Sequence, residues 1–318
     1  MNVSRKLKTV MLWGCFLPAA SLAEGEAQAW EKLADAKQQT PGIVRLYTFA
    51  EGRGLRTRNL LDDAPFSDMV IAGKGVFAGG NREDKENYPR WVNGRWPGKS
   101  GLSIGTMRKS IGRTHFYGVE GKDFTVEMWV RTTPGAGRVV FASVGDGYSN
   151  GWRLNSRGNG VDFALGRKPG RGQGEGLVNV LAKDCLRAHV WQQLVAVLND
   201  NNLQLYVDGK LAGEKAFDGV YRHPETPAGR HRTPEIDTRG GLQLGTTASH
   251  KSEGRFDIDE LAIWSRALAP AEIATLYAAA RPEAGPEEQV EQHQAELARR
   301  KQLDGITIEL PKDTFGYF

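Results

Sequence analysis

Phe256-Asp257-Ile258-Asp259-Glu260-Leu261-Ala262-Ile263-Trp264 alternates between apolar and polar residues, but not in a single phase. Phe256 and Ile258 share one parity, and Leu261 and Ile263 share the other. Side chains of a strand alternate between its two faces, so an apolar set that changes parity while still alternating carries one extra residue. The pattern predicts a strand with a β-bulge near Asp259 and Glu260, which would re-aim both carboxylates. Just beyond it, Pro270 at a first helical position, Glu272 in the first turn and an apolar Leu268 to Ile273 staple predict a short helix.

The period of two extends upstream. Phe124, Val126, Met128 and Val130 fall on one face, while Thr125, Glu127, Trp129 and Arg131 fall on the other. Val161, Phe163 and Leu165 repeat the pattern, as do Leu203, Leu205 and Val207, and all read as half-buried antiparallel strands. Glycine-rich breaks separate them: Pro134-Gly135-Ala136-Gly137, Gly145-Asp146-Gly147, Gly158-Asn159-Gly160 and Asp208-Gly209. The last suits a two-residue type I′ hairpin, which needs positive φ at both positions. Many short strands between such turns predict an all-β sandwich or barrel.

The chain begins differently. Arg5, Lys6 and Lys8 precede an apolar run from Thr9 to Leu22 that ends in Ser21-Leu22-Ala23, the pattern of a secretory signal peptide over 1–23 with cleavage before Glu24. The run is shorter than the about 20 residues a membrane span needs and is interrupted by Pro18, so it predicts export without a transmembrane segment. Leu12-Trp13-Gly14-Cys15 offers a lipoprotein alternative, with bulky Trp13 and an apolar run continuing past the cysteine against it. Residues 24–40 read as a short amphipathic lead-in helix with Trp30, Leu33 and Ala34 on one side, ended by Thr40-Pro41-Gly42. At the other end, 282–318 read as a helical linker and tail. Residues 286–303 have a thin apolar stripe, mainly Val290 and Leu297, insufficient to fold alone. Ile306-Thr307-Ile308-Glu309-Leu310 has the character of an edge strand before an aromatic tail.

Cleavage would leave Cys185 as the sole cysteine, so the core must hold by packing rather than by an intrachain disulfide. The formal net charge of +4 includes Arg5, Lys6 and Lys8; without them, 39 of the 42 basic residues remain against 38 acidic ones. Basic residues are scattered, without the aromatic-interleaved stripe of a single-strand binder, and nucleic acid is not an expected partner.

Taken in order, several segments resemble the laminin G-like jelly-roll family of the concanavalin A-like lectin and glucanase superfamily. They are the opening strand Val44-Arg45-Leu46-Tyr47-Thr48-Phe49, the turn Glu51-Gly52-Arg53-Gly54, the stretch Arg95-Trp96-Pro97-Gly98-Lys99-Ser100-Gly101-Leu102 and the strand at 124–131. The late signature is closest: 191–198, 203–209, Ile258 to Trp264, Arg266-Ala267-Leu268 and Glu272-Ile273. The resemblance covers 41–281 and implies an antiparallel jelly-roll β-sandwich with short flanking helices. The family's Asp-Ser-Gly-rich turn after the first strand is replaced by 53–63, and long basic loops are inserted at 166–176 and 221–240.

Laminarinase-like members of that superfamily use Glu-x-Asp-x-x-Glu, which aims three carboxylates into one cleft. Here Asp257-Ile258-Asp259-Glu260 begins with Asp, and Ala262 or Ile263 stands where the last acid belongs, so a glycoside hydrolase is the weakest functional reading. Gly147-Tyr148-Ser149-Asn150-Gly151 matches Gly-x-Ser-x-Gly, but Trp152-Arg153-Leu154 reads as a strand where a nucleophile elbow needs a helix. His115, His189, His223, His231, His250 and His293 have no metal-ligand spacing. Calcium is the one cofactor considered. The resemblance offers Asp259, with Asp257 beside it, as rim ligands, although the partner turn retains only Asp62 and Asp63. The alternative is that Asp259 and Glu260 satisfy backbone donors at the bulge.

Trp152 and Trp191 are expected in the core, while Trp91 and Trp96, in the polar loop 87–99, are expected as exposed platforms for a sugar ring. Loops 87–99, 166–176 and 221–240 form the expected recognition surface, with Trp91, Trp96, Arg230, His231 and Arg232 as its ligand-binding residues. The chain is thus expected to be an exported, non-catalytic binding module for a glycan or an extracellular or envelope protein. A structural or assembly protein of the cell envelope is the alternative.

Overall fold

The computed structural model describes residues 19–61, 67–72, 90–105, 111–114, 116, 118–134, 137–145, 150–168, 176–224, 241–246 and 254–304. The first strands are β1 (Ile43–Tyr47), β2 (Arg56–Thr57), β3 (Met69–Ala72), β4 (Arg90–Asn93), β5 (Ser100–Gly105) and β6 (Ile111–Arg113). Next come β7 (Phe124–Thr132), β8 (Val140–Val144), β9 (Trp152–Arg157), β10 (Gly160–Lys168) and β11 (Gly176–Ala182). The last are β12 (Trp191–Asn199), β13 (Asn202–Val207), β14 (Lys210–Ala216), β15 (Val220–Tyr221), β16 (Gln243–Leu244) and β17 (Arg255–Trp264). Helix α1 (Ala19–Gln38) precedes them, and α2 (Pro270–Ala280) and α3 (Pro286–Asp304) follow.

Two antiparallel sheets face each other. The front sheet runs β14-β13-β12-β7-β17-β5-β4, with β1 also paired to β17. The back sheet runs β11-β10-β9-β8-β16-β6-β3-β2, with β15 paired to β10. The jelly-roll sandwich implied by the family resemblance is therefore present, and the hairpin at Asp208-Gly209 has φ values of 51° and 74° as a type I′ turn requires.

Strand β17 organises the front sheet. Its first half pairs with β5 and its second half with β1, while β7 runs along its other side. The register breaks where the sequence changes phase: Ile258 lies opposite Val130 and Glu260 opposite Trp129, which leaves Asp259 as the inserted residue. The insertion lets Phe256, Ile258, Leu261 and Ile263 all enter the core with Phe124, Val126, Met128 and Val130, against Trp152, Leu154 and Phe163 of the back sheet. Without the bulge one of the two apolar pairs would face outward.

The other face of β7 departs from expectation. Thr125, Glu127, Trp129 and Arg131 are at most 5% exposed, so the strand is buried on both faces rather than half-buried. The cause is a helical cap. Leu268 and Ile273 close the expected staple of α2 over Leu46, Val195, Val197, Tyr206, Ala262 and Trp264. Tyr277 of α2 stacks on Trp129 with ring centroids 5.9 Å apart and planes 10° from parallel, and Leu33 of α1 packs against the same cluster. Glu272 completes the start of α2 by accepting from the Ala269 N–H at 2.8 Å and from both Nη atoms of Arg266 at 2.8 and 2.6 Å.

Helix α1 continues through the expected cleavage junction at Ala23 and is pinned near its end by Lys37. The ammonium is 1% exposed and donates to Glu127 Oε2 at 2.7 Å and to Glu260 Oε1. Burial disfavours the charged Lys37, yet the two carboxylates outweigh it and raise its pKa. Replacing Lys37 by Met should leave two buried carboxylates without their cation and lower stability by about 3–5 kcal/mol in chemical denaturation. A loss below about 1 kcal/mol, the value of a surface pair, would show that the lysine does not hold the cap.

Candidate binding cleft

The bulge delivers three carboxylates of β17 to the capped face, and each meets a cation. Arg131 Nε and Nη2 donate to Asp257 Oδ2 at 3.0 and 2.8 Å. Lys99 Nζ donates to Asp259 Oδ1 at 2.7 Å and to the carbonyls of Thr48 and Asp259 at 2.7 and 2.9 Å. Arg95 Nη2 reaches Glu260 Oε2 at 3.1 Å and Asp259 Oδ1 at 3.4 Å, while its backbone N–H donates to Asp259 Oδ2 at 2.5 Å. That last contact requires glycine at 94, where a Cβ would collide with Asp259 Oδ2 and the Ser100 carbonyl.

This donor set does not fit calcium. A calcium ion takes six to eight oxygens, whereas Asp257 and Asp259 are already surrounded by two guanidinium groups and an ammonium. Among the described residues no three His, Cys, Asp or Glu side chains converge on a metal position, and Asp62 and Asp63 lie outside those residues. Nor do these carboxylates resemble a hydrolytic pair. Burial works against an ionised Glu260, but Lys37 and then Arg95 outweigh it and hold the pKa down at about 2, the wrong direction for a general acid. Only part of the backbone-donor alternative is realised, in the Arg95 N–H bond. Residues 147–149 of the Gly-x-Ser-x-Gly stretch lie outside the described residues, and Trp152 opens strand β9 as expected.

Helix α3 docks through polar contacts. Gln289 Oε1 accepts from the Trp191 N–H at 2.9 Å. Glu296 accepts from Arg131 Nη2 at 3.2 Å and from the Asn93 N–H at 3.3 Å, and it also pairs with Arg300. His293, 1% exposed, places Nδ1 3.0 Å from Nδ1 of His189, so one neutral ring donates and the other accepts. No motif or spacing points to this pair, since the two histidines are 104 residues apart.

Burial and then Arg131 push the His293 imidazole down to about 4, despite Asp257 Oδ2 at 3.6 Å. The undocked helix would take up a proton near the ordinary pKa of about 6.5, which the docked one resists, so docking weakens as pH falls from there towards 4. Hydrogen exchange of 286–304, corrected for intrinsic rate, should accelerate by up to about tenfold per pH unit in this window while β7 stays protected. Unchanged protection down to pH 4.5 would contradict this.

Between the C-terminal end of α2, the elbow at 281–285, the start of α3 and the sheet lies an open cleft of about 770 Å³. Trp96, Trp191 and Tyr277 supply aromatic surface, with Arg187, Arg281 and Gln289 among the polar lining. A cavity of about 100 Å³ lies beside it, shares Trp191, Pro282, Ala284 and Gln289 with it, and is also lined by Arg95 and Arg131. Trp96 Nε1 and Arg95 Nε and Nη1 are buried without a hydrogen-bond partner.

Of the residues expected to bind ligand, Trp96 lines this cleft, although it is 9% exposed rather than an open loop platform. Trp91 is corrected: it belongs to β4, packs half-buried against the core and donates from Nε1 to the Gly54 carbonyl at 3.1 Å. Arg230, His231 and Arg232 lie outside the described residues, as do 87–89, 169–175 and 225–240 of the three loops. Trp152 is in the sandwich core as expected, whereas Trp191 sits beneath the cap and faces the cleft. Tyr277, Arg95 and Gln289 were not singled out by sequence; the available signal was a tryptophan at 129 on the nominally polar face of β7, which demands a cover.

A laminin G family model described as the concanavalin A-like lectin/glucanases superfamily matches residues 110–274. No curated protein matches the chain. Among solved structures, the fold is similar to the binding domain of Paraclostridial Mosquitocidal Protein 1, with TM-score 0.50 and 12% identity over 77% of this chain and 52% of that one. It is also similar to the receptor binding domain of botulinum neurotoxin type G, with TM-score 0.50 and 13% identity over 74% of this chain and 51% of the other. The chain spans about half the length of both structures, and the likeness is one of fold. With the family match covering just over half of the 318 residues and two antiparallel sheets of the matching architecture, the chain belongs to the concanavalin A-like lectin/glucanases superfamily, as a laminin G-like member.

Proposed function

We propose that this chain is an exported recognition module that binds a glycan, without transforming it, in the cleft beneath its helical cap. One observation carries the reading: three aromatic side chains, Trp96, Trp191 and Tyr277, converge on an open cleft of about 770 Å³ whose wall holds a buried indole N–H without a partner. The apolar C–H face of a sugar ring stacks on such surfaces, and its hydroxyls serve as acceptors and donors to the flanking Arg187, Arg281 and Gln289. The similar structures named above are themselves binding domains, which agrees with a fold used for recognition. Export rests on the basic, apolar and small-residue order of 1–23.

Absence of catalysis is supported by the ion-paired state of Asp257, Asp259 and Glu260. The competing reading, an envelope assembly protein whose terminal helices dock on another chain, loses one support because α1 and α3 spend their buried polar contacts on this chain's own sheet.

A glycan array probed with the intact chain should give at least one binding glycan, and Trp96→Ala should weaken that interaction by roughly tenfold with the circular dichroism of the sandwich retained. An array without any binder, combined with co-purification of a stable protein partner, would favour assembly. Wild-type affinity in the variant would place recognition elsewhere on the molecule.

A further inference from the structure

The unsatisfied groups of the cleft are all donors. Trp96 Nε1, Arg95 Nε and Arg95 Nη1 lack partners, on side chains that are 9% and 6% exposed. They are neighbours: the Arg95 guanidinium carbon lies 5.6 Å from the Trp96 ring centroid and 4.1 Å from that of Trp129. Among the described residues lining the two cavities, no buried side-chain acceptor is left unpaired. A buried N–H without an acceptor is costly, so a ligand that fits here brings acceptors to that wall.

Two acceptors common on sugars are a carboxylate and an amide carbonyl, and charge decides between them. Lys37, Arg95, Lys99, Arg131 and Arg300 already face Glu127, Asp257, Asp259, Glu260 and Glu296 through ion pairs, five cations against five carboxylates. A sixth carboxylate would find every cation of this network already matched, and would still lose its own hydration. A neutral carbonyl meets the same donors without that penalty. The inner cavity, at about 100 Å³, has room for a substituent of a few heavy atoms, comparable to about three waters. Pro282 and Ala284 in its lining offer contact to a methyl group.

We propose that the cleft selects N-acetylated amino sugars, with the ring against Trp96 and Trp191 and the acetamido carbonyl accepting from the Arg95 guanidinium in the inner cavity. The inference rests on the glycan-binding reading and names the sugar class for the same site. It makes Arg95, with the Trp96 indole N–H beside it, the determinant of specificity, while the aromatic ring faces supply affinity for any sugar ring of suitable shape.

Titration calorimetry on the intact chain can compare four probes: the β-1,4 tetramer of N-acetylglucosamine, its deacetylated form, the glucose tetramer of the same linkage, and a galacturonate tetramer. The acetylated tetramer should bind at least about tenfold more tightly than each of the others. Arg95→Lys, which keeps the charge facing Asp259 and Glu260 but removes Nε and Nη1, should erase that preference by weakening the acetylated tetramer to within about twofold of the glucose tetramer measured on the same variant. Should Arg95→Lys fail to fold, Trp96→Phe, which removes only the indole N–H and part of the ring, should reduce the preference by at least about threefold. Equal affinity for acetylated and glucose tetramers would overturn the acetamido inference and leave glycan binding standing. Preference for the galacturonate tetramer would overturn the charge argument. Failure of all four probes, when the array has identified another glycan, would overturn this inference alone; failure of the probes and the array together would remove both readings.

Discussion

A carboxylate taken out of water must be met by a cation, and β17 imposes that demand at Asp257, Asp259 and Glu260 within four residues. Each answer comes from a different part of the chain. Arg131 belongs to the neighbouring strand, Lys99 and Arg95 to the segment between β4 and β5, and Lys37 to the helix preceding the sandwich. The bulge at Asp259 thus does more than correct the register of the core. It fixes the loop that carries Trp96 and seats α1 over the sheet. Buried ion pairs of this kind add little net stability compared with apolar packing, but removing one partner is costly, and they define one arrangement of cap on sheet.

The cap determines where recognition can occur. It closes the outer face of the front sheet, and its elbow between α2 and α3 leaves a gap lined by Trp96, Trp191 and Tyr277. Trp129, under Tyr277 and Arg95, is wholly interior; Trp191, one strand away, is partly shared with the cleft. Among the unpaired donors, Trp96 Nε1 and Arg95 Nε and Nη1 belong to residues that line this gap and the cavity beside it. Structural need for positive charge beneath the cap and availability of N–H groups for a ligand therefore have one origin in Arg95, which uses Nη2 for Asp259 and Glu260 and leaves Nε and Nη1.

The sandwich was legible in the sequence because strand periodicity reports burial directly. The phase change between Ile258 and Leu261 located the bulge, Asp208-Gly209 located a hairpin, and Leu268 with Ile273 located the staple of α2. The capped face was not legible for a physical reason: its burial is polar. Glu127 and Arg131 read as solvated positions because each is charged, and only distant residues neutralise them. The same holds for α3, whose thin apolar stripe at Val290 and Leu297 concealed docking by Gln289, His293 and Glu296. Trp96, expected as an exposed loop platform, is instead a buried side chain that lines the cleft. Trp91 was misplaced because Arg90 to Asn93, polar at both ends, reads as loop although it pairs with β5.

Asp259 anchors the β4–β5 segment through Lys99 and the Arg95 N–H, and is neither a metal ligand nor an idle consequence of the bulge. A double-mutant cycle with Lys99→Met and Asp259→Asn, read by denaturant unfolding, measures that directly. The expected coupling energy is above about 1 kcal/mol, with the double variant more stable than the sum of the single losses implies. Additivity within about 0.5 kcal/mol would contradict it, since the two side chains would then be adjacent without holding each other.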